Sequence, residues 1–130
     1  MATSLQAKIG TSAFAFRGYN TVNLGRTPEL LAHPVYGKTI RRYLNRASEI
    51  CAEIVRRPVD LAGAVAEKRE YELDRYAEAV AMIVAADLAQ VELLEEFHGV
   101  RFSEAKLAYG YSLGELSAVA CAGVFSMPRF

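Results

Sequence analysis

The run Gly110-Tyr111-Ser112-Leu113-Gly114 sets a serine between two glycines at the spacing G-x-S-x-G. A serine hydroxyl becomes a useful nucleophile only when it is exposed, positioned and flanked by groups that stabilise developing negative charge. This spacing suits a tight turn from a strand into a helix. The glycines let neighbouring elements crowd together, and the serine is thrust out at the top of the strand. The amide of Leu113 then points toward a developing oxyanion, and the N-terminus of the following helix adds partial positive charge. The chemistry of such a corner is attack on an acyl carbonyl. Alone the pattern is weak, because about 0.04 chance matches arise in a chain of this length at ordinary glycine and serine frequencies. Its flanks separate it from a plain strand-turn-helix corner. The strand candidate Lys106-Leu107-Ala108-Tyr109 precedes it, and a helix-like run from Leu113 to about Val124 follows.

The elements that must position this corner are punctuated by proline and glycine. Ser12-Ala13-Phe14-Ala15-Phe16 reads as a buried strand ending in a loop at Gly18. Thr27-Pro28-Glu29 opens a brief helix, with a capping hydroxyl and proline in the first turn. Pro34 to Arg57 is a long helix whose apolar stripe runs Tyr36, Ile40, Tyr43, Leu44, Ala47, Ile50, Cys51 and Ile54. Pro58 ends it, and Asp60 caps a short helix reaching about Lys68. A second long helix covers roughly Tyr71 to His98, with Val80, Ile83, Val84, Leu88, Val91, Leu94 and Phe97 on its apolar stripe. Glu92, Glu95 and Glu96 then form a wet face, and Gly99 supplies the left-handed cap. Strands separated by helices imply a helix-rich α/β fold with a parallel sheet flanked by helices. Two parallel strands leave exposed edges and do not make a stable sheet by themselves. The chain therefore reads as the first part of a larger fold, with an open edge through which it could self-associate.

Composition bounds the function. Of 130 residues, 52% are hydrophobic and 23% charged, the profile of a globular domain. The 15 Lys and Arg balance the 15 Asp and Glu, which argues against nucleic-acid or anionic-membrane binding. Met1 to Gly10 lacks the apolar core of a signal peptide, and no run approaches a membrane span. Cys51 and Cys121 have no metal-type spacing and read as buried free thiols, which fits a reducing cytoplasm. Neither histidine offers a base: His33 reads as a turn residue before Pro34, and His98 as a helix end. Glu115 is a helix-start carboxylate, and Asp87, among Ala85, Ala86 and Leu88, is a half-buried group with a structural hydrogen bond.

The wider stretch from Gly110 through Glu115-Leu116-Ser117-Ala118 to Ala122-Gly123-Val124-Phe125 closely resembles the active-site segment of malonyl-CoA:acyl-carrier-protein transacylases. The same segment marks the acyltransferase domains of polyketide and fatty-acid synthases, where it reads Gly-His-Ser-Leu-Gly-Glu, then Ser-Ala and later Ala-Gly. The order of elements is similar over about residues 12–126, while strong motif identity is confined to 110–125. The resemblance implies a two-step acyl transfer. The serine attacks the thioester of malonyl-CoA or a related acyl-CoA, and the phosphopantetheine thiol of an acyl carrier protein collects the acyl group. No bound cofactor or metal is implied. Ser112 carries over as nucleophile and Leu113 as one oxyanion-hole amide. The second amide, from the family's Phe-Pro-Gly-Gln-Gly loop, falls on Tyr19 within Phe16-Arg17-Gly18-Tyr19-Asn20. Tyr111, beside the nucleophile, and Arg17, in the loop, are the substrate-contact candidates.

Several positions depart from the family's pattern. Tyr111 stands where histidine is usual, Tyr19 where glutamine is usual, and Ala77-Glu78-Ala79-Val80 near the place of a Thr-Gln-Pro-Ala stretch. These point to a divergent branch with an altered acyl group. The family's carboxylate-binding arginine, its histidine base and the ferredoxin-like subdomain between them have no counterpart; Arg129 comes too early to be that arginine. Residues 1–130 are therefore expected to be the amino-terminal part of an acyltransferase domain, inactive or nearly so alone. The alternatives are a non-catalytic interaction module and a serine esterase or thioesterase of the α/β-hydrolase type, which shares only the elbow.

Overall fold

The computed structural model describes residues 4–123. In chain order these form α1 (Ser4–Lys8), β1 (Ala13–Phe16), α2 (Thr27–Ala32), α3 (Gly37–Val55), α4 (Leu61–Ala66), α5 (Tyr76–His98), β2 (Leu107–Gly110) and α6 (Gly114–Cys121). The fold is helix-rich α/β, and its sheet consists of β1 and β2 alone, paired in parallel from Ala13 beside Leu107 to Phe16 beside Gly110.

The two long helices form an antiparallel hairpin. Arg42 and Tyr43, early in α3, reach Glu92 late in α5, whereas Arg57, just beyond α3, reaches Glu78 near the start of α5. The core is built on one side of this hairpin, where Ile40, Leu44, Ala47 and Cys51 of α3 face Ala79, Met82, Ile83, Ala86 and Leu93 of α5. Leu61 and Val65 of α4 close it. Loss of one such side chain to alanine costs roughly 2–5 kcal/mol.

The α3 stripe packs inward from Ile40 to Cys51, whereas of the α5 stripe only Ile83 and Leu88 are buried, Val80, Val84, Val91 and Leu94 are half-buried and Phe97 is exposed. Val80, Val84, Ile50 and Ile54 line an open apolar groove of about 460 Å³ between α3 and α5, together with the buried Ala47, Cys51 and Ala85, and Ile54 is 74% exposed. Helix α3 is amphipathic, with one apolar face, but α5 is apolar over more than one face. The face of α5 that goes inward carries Ala79, Ala85, Ala86 and Ala89 beside Met82, Ile83, Leu88 and Leu93. Glu92 also departs from a wet face, since it accepts from the Tyr43 hydroxyl at 3.0 Å and pairs with Arg42.

Helix ends follow local chemistry. Pro34 does not start α3. The His33 Nδ1 accepts from the amides of Val35 and Tyr36, each at 3.1 Å, and this turn delays the helix to Gly37. Thr27 lies inside α2 and is buried rather than capping it; Arg26 occupies the cap position. Asp60 does cap α4, accepting from the Gly63 amide at 3.0 Å. A 3-10 turn at Leu73–Arg75 postpones α5 to Tyr76, and Gly99 closes that helix at φ +64°.

The strands are shorter and barer than a buried sheet. One face carries Phe14, Phe16, Ala108 and Gly110 and is covered by α6 and Phe102, whose ring lies 5.0 Å from that of Phe14. The opposite face carries Ala13, Ala15, Leu107 and Tyr109, all exposed, with Leu107 at 50% and Tyr109 at 56%. Only Phe16 of β1 is buried. Parallel sheets ordinarily have both faces covered.

Candidate active site

The corner between β2 and α6 is assembled by glycines. A β-carbon on Gly110 would overlap the Gly114 carbonyl and the Glu115 amide. One on Gly114 would overlap the carbonyl of Phe16, at the end of β1. These two residues let α6 lie directly on the sheet. The turn is closed by the Gly114 amide donating to the Tyr111 carbonyl and the Glu115 amide donating to the Ser112 carbonyl, each at 3.0 Å. The Tyr111 amide donates to the Phe16 carbonyl at 3.0 Å and carries the strand pairing one residue past β2.

Ser112 has φ +55°, in the left-handed region. Two other described non-glycine residues share that region, Arg56 and Lys68, and both follow the last turn of a helix, where a left-handed residue is commonplace. Ser112 instead sits at a strand-to-helix corner, where the same geometry aims a side chain outward and stores strain. Its side chain is exposed, and among the described residues its hydroxyl has no hydrogen-bond partner. The amides of Leu113 and Tyr19 likewise donate to no described group.

The loop after β1 is held against this corner. A β-carbon on Gly18 would come within 3.2 Å of Ser112 Cβ and 3.3 Å of the Leu113 nitrogen, so Gly18 and the adjoining Tyr19 border the serine. The loop has its own frame. The Asn20 amide donates to Asn23 Oδ1 at 2.7 Å, and Asn23 Nδ2 returns a bond to the Asn20 carbonyl at 2.6 Å. Glu70 clamps it from the far side, accepting from the amides of Asn23 and Leu24. The Tyr19 ring packs edge-on to Tyr76 at 5.0 Å.

Beneath the corner, Ser117 of α6 is fully buried at 0% exposure and donates to Asp87 Oδ2 of α5 at 2.7 Å. Burial pushes the Asp87 carboxyl up from its ordinary range, against the opposing effects of the Ser117 hydroxyl and the Arg17 charge. Burial also pushes the nearby Cys121 thiol up to about 11, with help from the Asp87 charge, so it stays protonated and unreactive. Cys51 is buried and its thiol is likewise pushed up by burial.

The structure thus brings Ser112, Leu113 and Gly18 together, with Tyr19 next to Gly18 in the chain and its ring on Tyr76. Tyr111 is exposed beside them. Arg17 turns onto its own loop, donating to the Val22 carbonyl at 2.6 Å. Glu115 lies in the first turn of α6, as its position suggests. The histidines go elsewhere. His33 stacks on Tyr36 with ring centres 4.1 Å apart, and His98 Nε2 lies 2.8 Å from the Tyr36 hydroxyl. Arg129 and the stretch from Val124 onward lie outside the described residues. No group of three or more potential metal ligands occurs among the described residues, and no described helix is long and apolar enough to cross a membrane. Three residues that shape the site were not singled out by sequence: Glu70, Ser117 as the partner of Asp87, and Gly18 as the contact to Ser112. Among the described residues the corner presents an exposed serine hydroxyl and two amides without a hydrogen-bond partner, and neither His33 nor His98 is bonded to that serine.

The chain matches no family model, no curated protein and no solved structure.

Proposed function

We propose that Ser112 is the nucleophile of an acyl-transfer site of the malonyl-CoA:acyl-carrier-protein transacylase type. The observation that carries this reading is the left-handed φ of an exposed serine between two close-packed glycines, at the end of a parallel strand. Ser112 Oγ attacks the carbonyl carbon of an acyl-CoA thioester. A carbon–oxygen bond forms, the carbon–sulfur bond breaks, and the hydroxyl proton leaves with the coenzyme A thiol. The thiol of a carrier protein's phosphopantetheine then reverses the exchange and takes the acyl group. The free amides of Leu113 and Tyr19 receive the carbonyl oxygen as it becomes anionic. Arg17 and Tyr111 border the acyl group. The serine corner and the elements before it correspond to those of such a domain, working in the cytoplasm, where Cys51 and Cys121 stay reduced. With no base beside Ser112, catalysis is limited to binding and the oxyanion amides, which in serine hydrolases stripped of a triad member retain roughly 10³-fold over water.

The test is intact mass after incubation with malonyl-CoA, comparing the wild type with Ser112→Ala. A malonyl-sized gain lost in the variant supports the reading; no gain in a folded wild type sinks it. Substituting a simple aryl ester for malonyl-CoA separates acyl transfer from an esterase of the same corner.

A second reading, a non-catalytic interaction module, is favoured by the bare face of Ala13, Ala15, Leu107 and Tyr109. It predicts concentration-dependent self-association in light scattering that Leu107→Lys abolishes. A monomer at all concentrations would remove self-association as the purpose of that face.

A further inference from the structure

The two candidate oxyanion donors come from different elements, Leu113 from the start of α6 and Tyr19 from the loop after β1. Their separation depends on how those elements are held. Asp87, on the long helix α5, interacts with both. It accepts a 2.7 Å hydrogen bond from the buried Ser117 hydroxyl of α6, and the charge of Arg17 from the loop acts on its carboxylate. Ser117 lies one helical turn beyond Gly114, so a shift of Ser117 is transmitted to the Leu113 amide with little loss. Gly114 itself rests on the Phe16 carbonyl and leaves α6 no room to move toward the sheet. The Asp87–Ser117 bond opposes a displacement of α6 away from α5.

We propose that Asp87 is the positioning residue of the Ser112 corner, fixing the Leu113 amide through Ser117. This rests on the reading of Ser112 as nucleophile for its catalytic consequence, but not for its structural content. Asp87 touches no reacting atom; it acts through the helix it anchors. An asparagine keeps an acceptor for Ser117 and so preserves the anchor, whereas alanine at either position removes it.

The experiment measures amide hydrogen exchange and chemical shifts at Ser112, Leu113 and Gly114 in the wild type, Asp87→Ala, Asp87→Asn and Ser117→Ala. The rate of Ser112 labelling by a fluorophosphonate is followed in parallel over a range of reagent concentration. The expected result is faster exchange at the Gly114 amide, which donates to the Tyr111 carbonyl, and shifted resonances at Ser112 and Leu113 in both alanine variants, with wild-type behaviour in Asp87→Asn. The limiting labelling rate falls about tenfold in the alanine variants, less than the ~10²–10³ of losing a donor outright, while the half-saturating concentration stays put. Ser117→Ala, which removes one oxygen, guards against a failure of Asp87→Ala to fold. Unchanged amides in either folded alanine variant overturn the proposal. If the wild type is not labelled at all and the amides still respond, the anchor stands and the nucleophile reading falls.

Discussion

Gly18 lies so close to Ser112 that a β-carbon on it would come within 3.2 Å of the serine Cβ while overlapping the Tyr111 carbonyl. The strand-to-helix corner and the loop after β1 are thus one packed unit, and its glycines are there for space. Alanine at Gly18, Gly110 or Gly114 must push backbone against backbone, and overpacking of this kind costs ~1–3 kcal/mol or more. Gly10 has no atom within 4 Å of its β-carbon position and φ outside the left-handed region, so Gly10→Ala should be neutral or slightly stabilising. Urea unfolding of the four variants checks the contrast. A Gly114→Ala protein as stable as Gly10→Ala would mean that α6 is not seated on β1.

Strain at Ser112 makes a second prediction, independent of activity. A non-glycine residue held left-handed outside a helix cap costs on the order of 1–3 kcal/mol, and glycine escapes this cost. Glycine also gives the unfolded chain more freedom, which returns roughly 0.5–1 kcal/mol. Ser112→Gly should therefore unfold at higher temperature than Ser112→Ala, by a net difference of about 1 kcal/mol. Equal melting temperatures for the two would place the serine in a relaxed backbone and remove the main support for an elbow.

How much of this was legible follows from the range of each signal. The turn itself was legible because its two glycines and serine lie within five residues, Gly110 to Gly114, whereas its seat on Phe16 and Gly18 was not. Proline and glycine likewise marked the ends of α3 and α5 to within a few residues. The inward face of α3 was legible, since Ile40, Tyr43, Leu44, Ala47 and Cys51 are all buried, whereas that of α5 was legible only at Ile83 and Leu88. Val80 is no less apolar than Met82, and the packing of α5 rather than its local pattern decides that Ala79, Met82 and Ala86 are buried while Val80 is half-buried. Helix α1 has five residues and no periodicity to read. Contacts such as Glu70 with Asn23 and Arg57 with Glu78 join positions 47 and 21 residues apart, and nothing in the local pattern gives their register.

The raised Asp87 carboxyl sets a pH dependence. Burial makes the folded protein hold this proton more tightly than the unfolded chain does, with the Ser117 hydroxyl and Arg17 opposing and Cys121 close by. The stability from that proton is complete below the ordinary carboxylate range, about pH 4, and is lost as pH climbs through the raised folded value. Asp87→Asn cannot ionise and should not suffer that loss. It should be more stable than the wild type at pH 7, and the gap should close as pH falls to about 4. Melting temperatures of the two proteins across pH 4–8 check this, and a gap that widens on acidification would reverse the assignment.

The Arg57–Glu78 pair is the costliest ionic contact to break. Glu78 is 2% exposed, and Arg57 Nη2 donates to both its oxygens at 2.8 and 2.9 Å. Arg75 stands farther off, at 3.8 Å. Arg57→Met leaves a buried carboxylate with only that distant partner, and losses of this type run to about 3–5 kcal/mol. Removing the charge as well, in Arg57→Met with Glu78→Leu, takes away the desolvation penalty and should recover most of the loss. Arg26→Ala, which breaks a fully solvated pair with Glu29, should leave unfolding unchanged. The measurement is a double-mutant cycle by urea denaturation. If the double variant were no more stable than Arg57→Met, the loss would come from the arginine stem's packing rather than from the stranded charge. The helix hairpin that supports the Ser112 corner would then be fastened there by apolar contact alone.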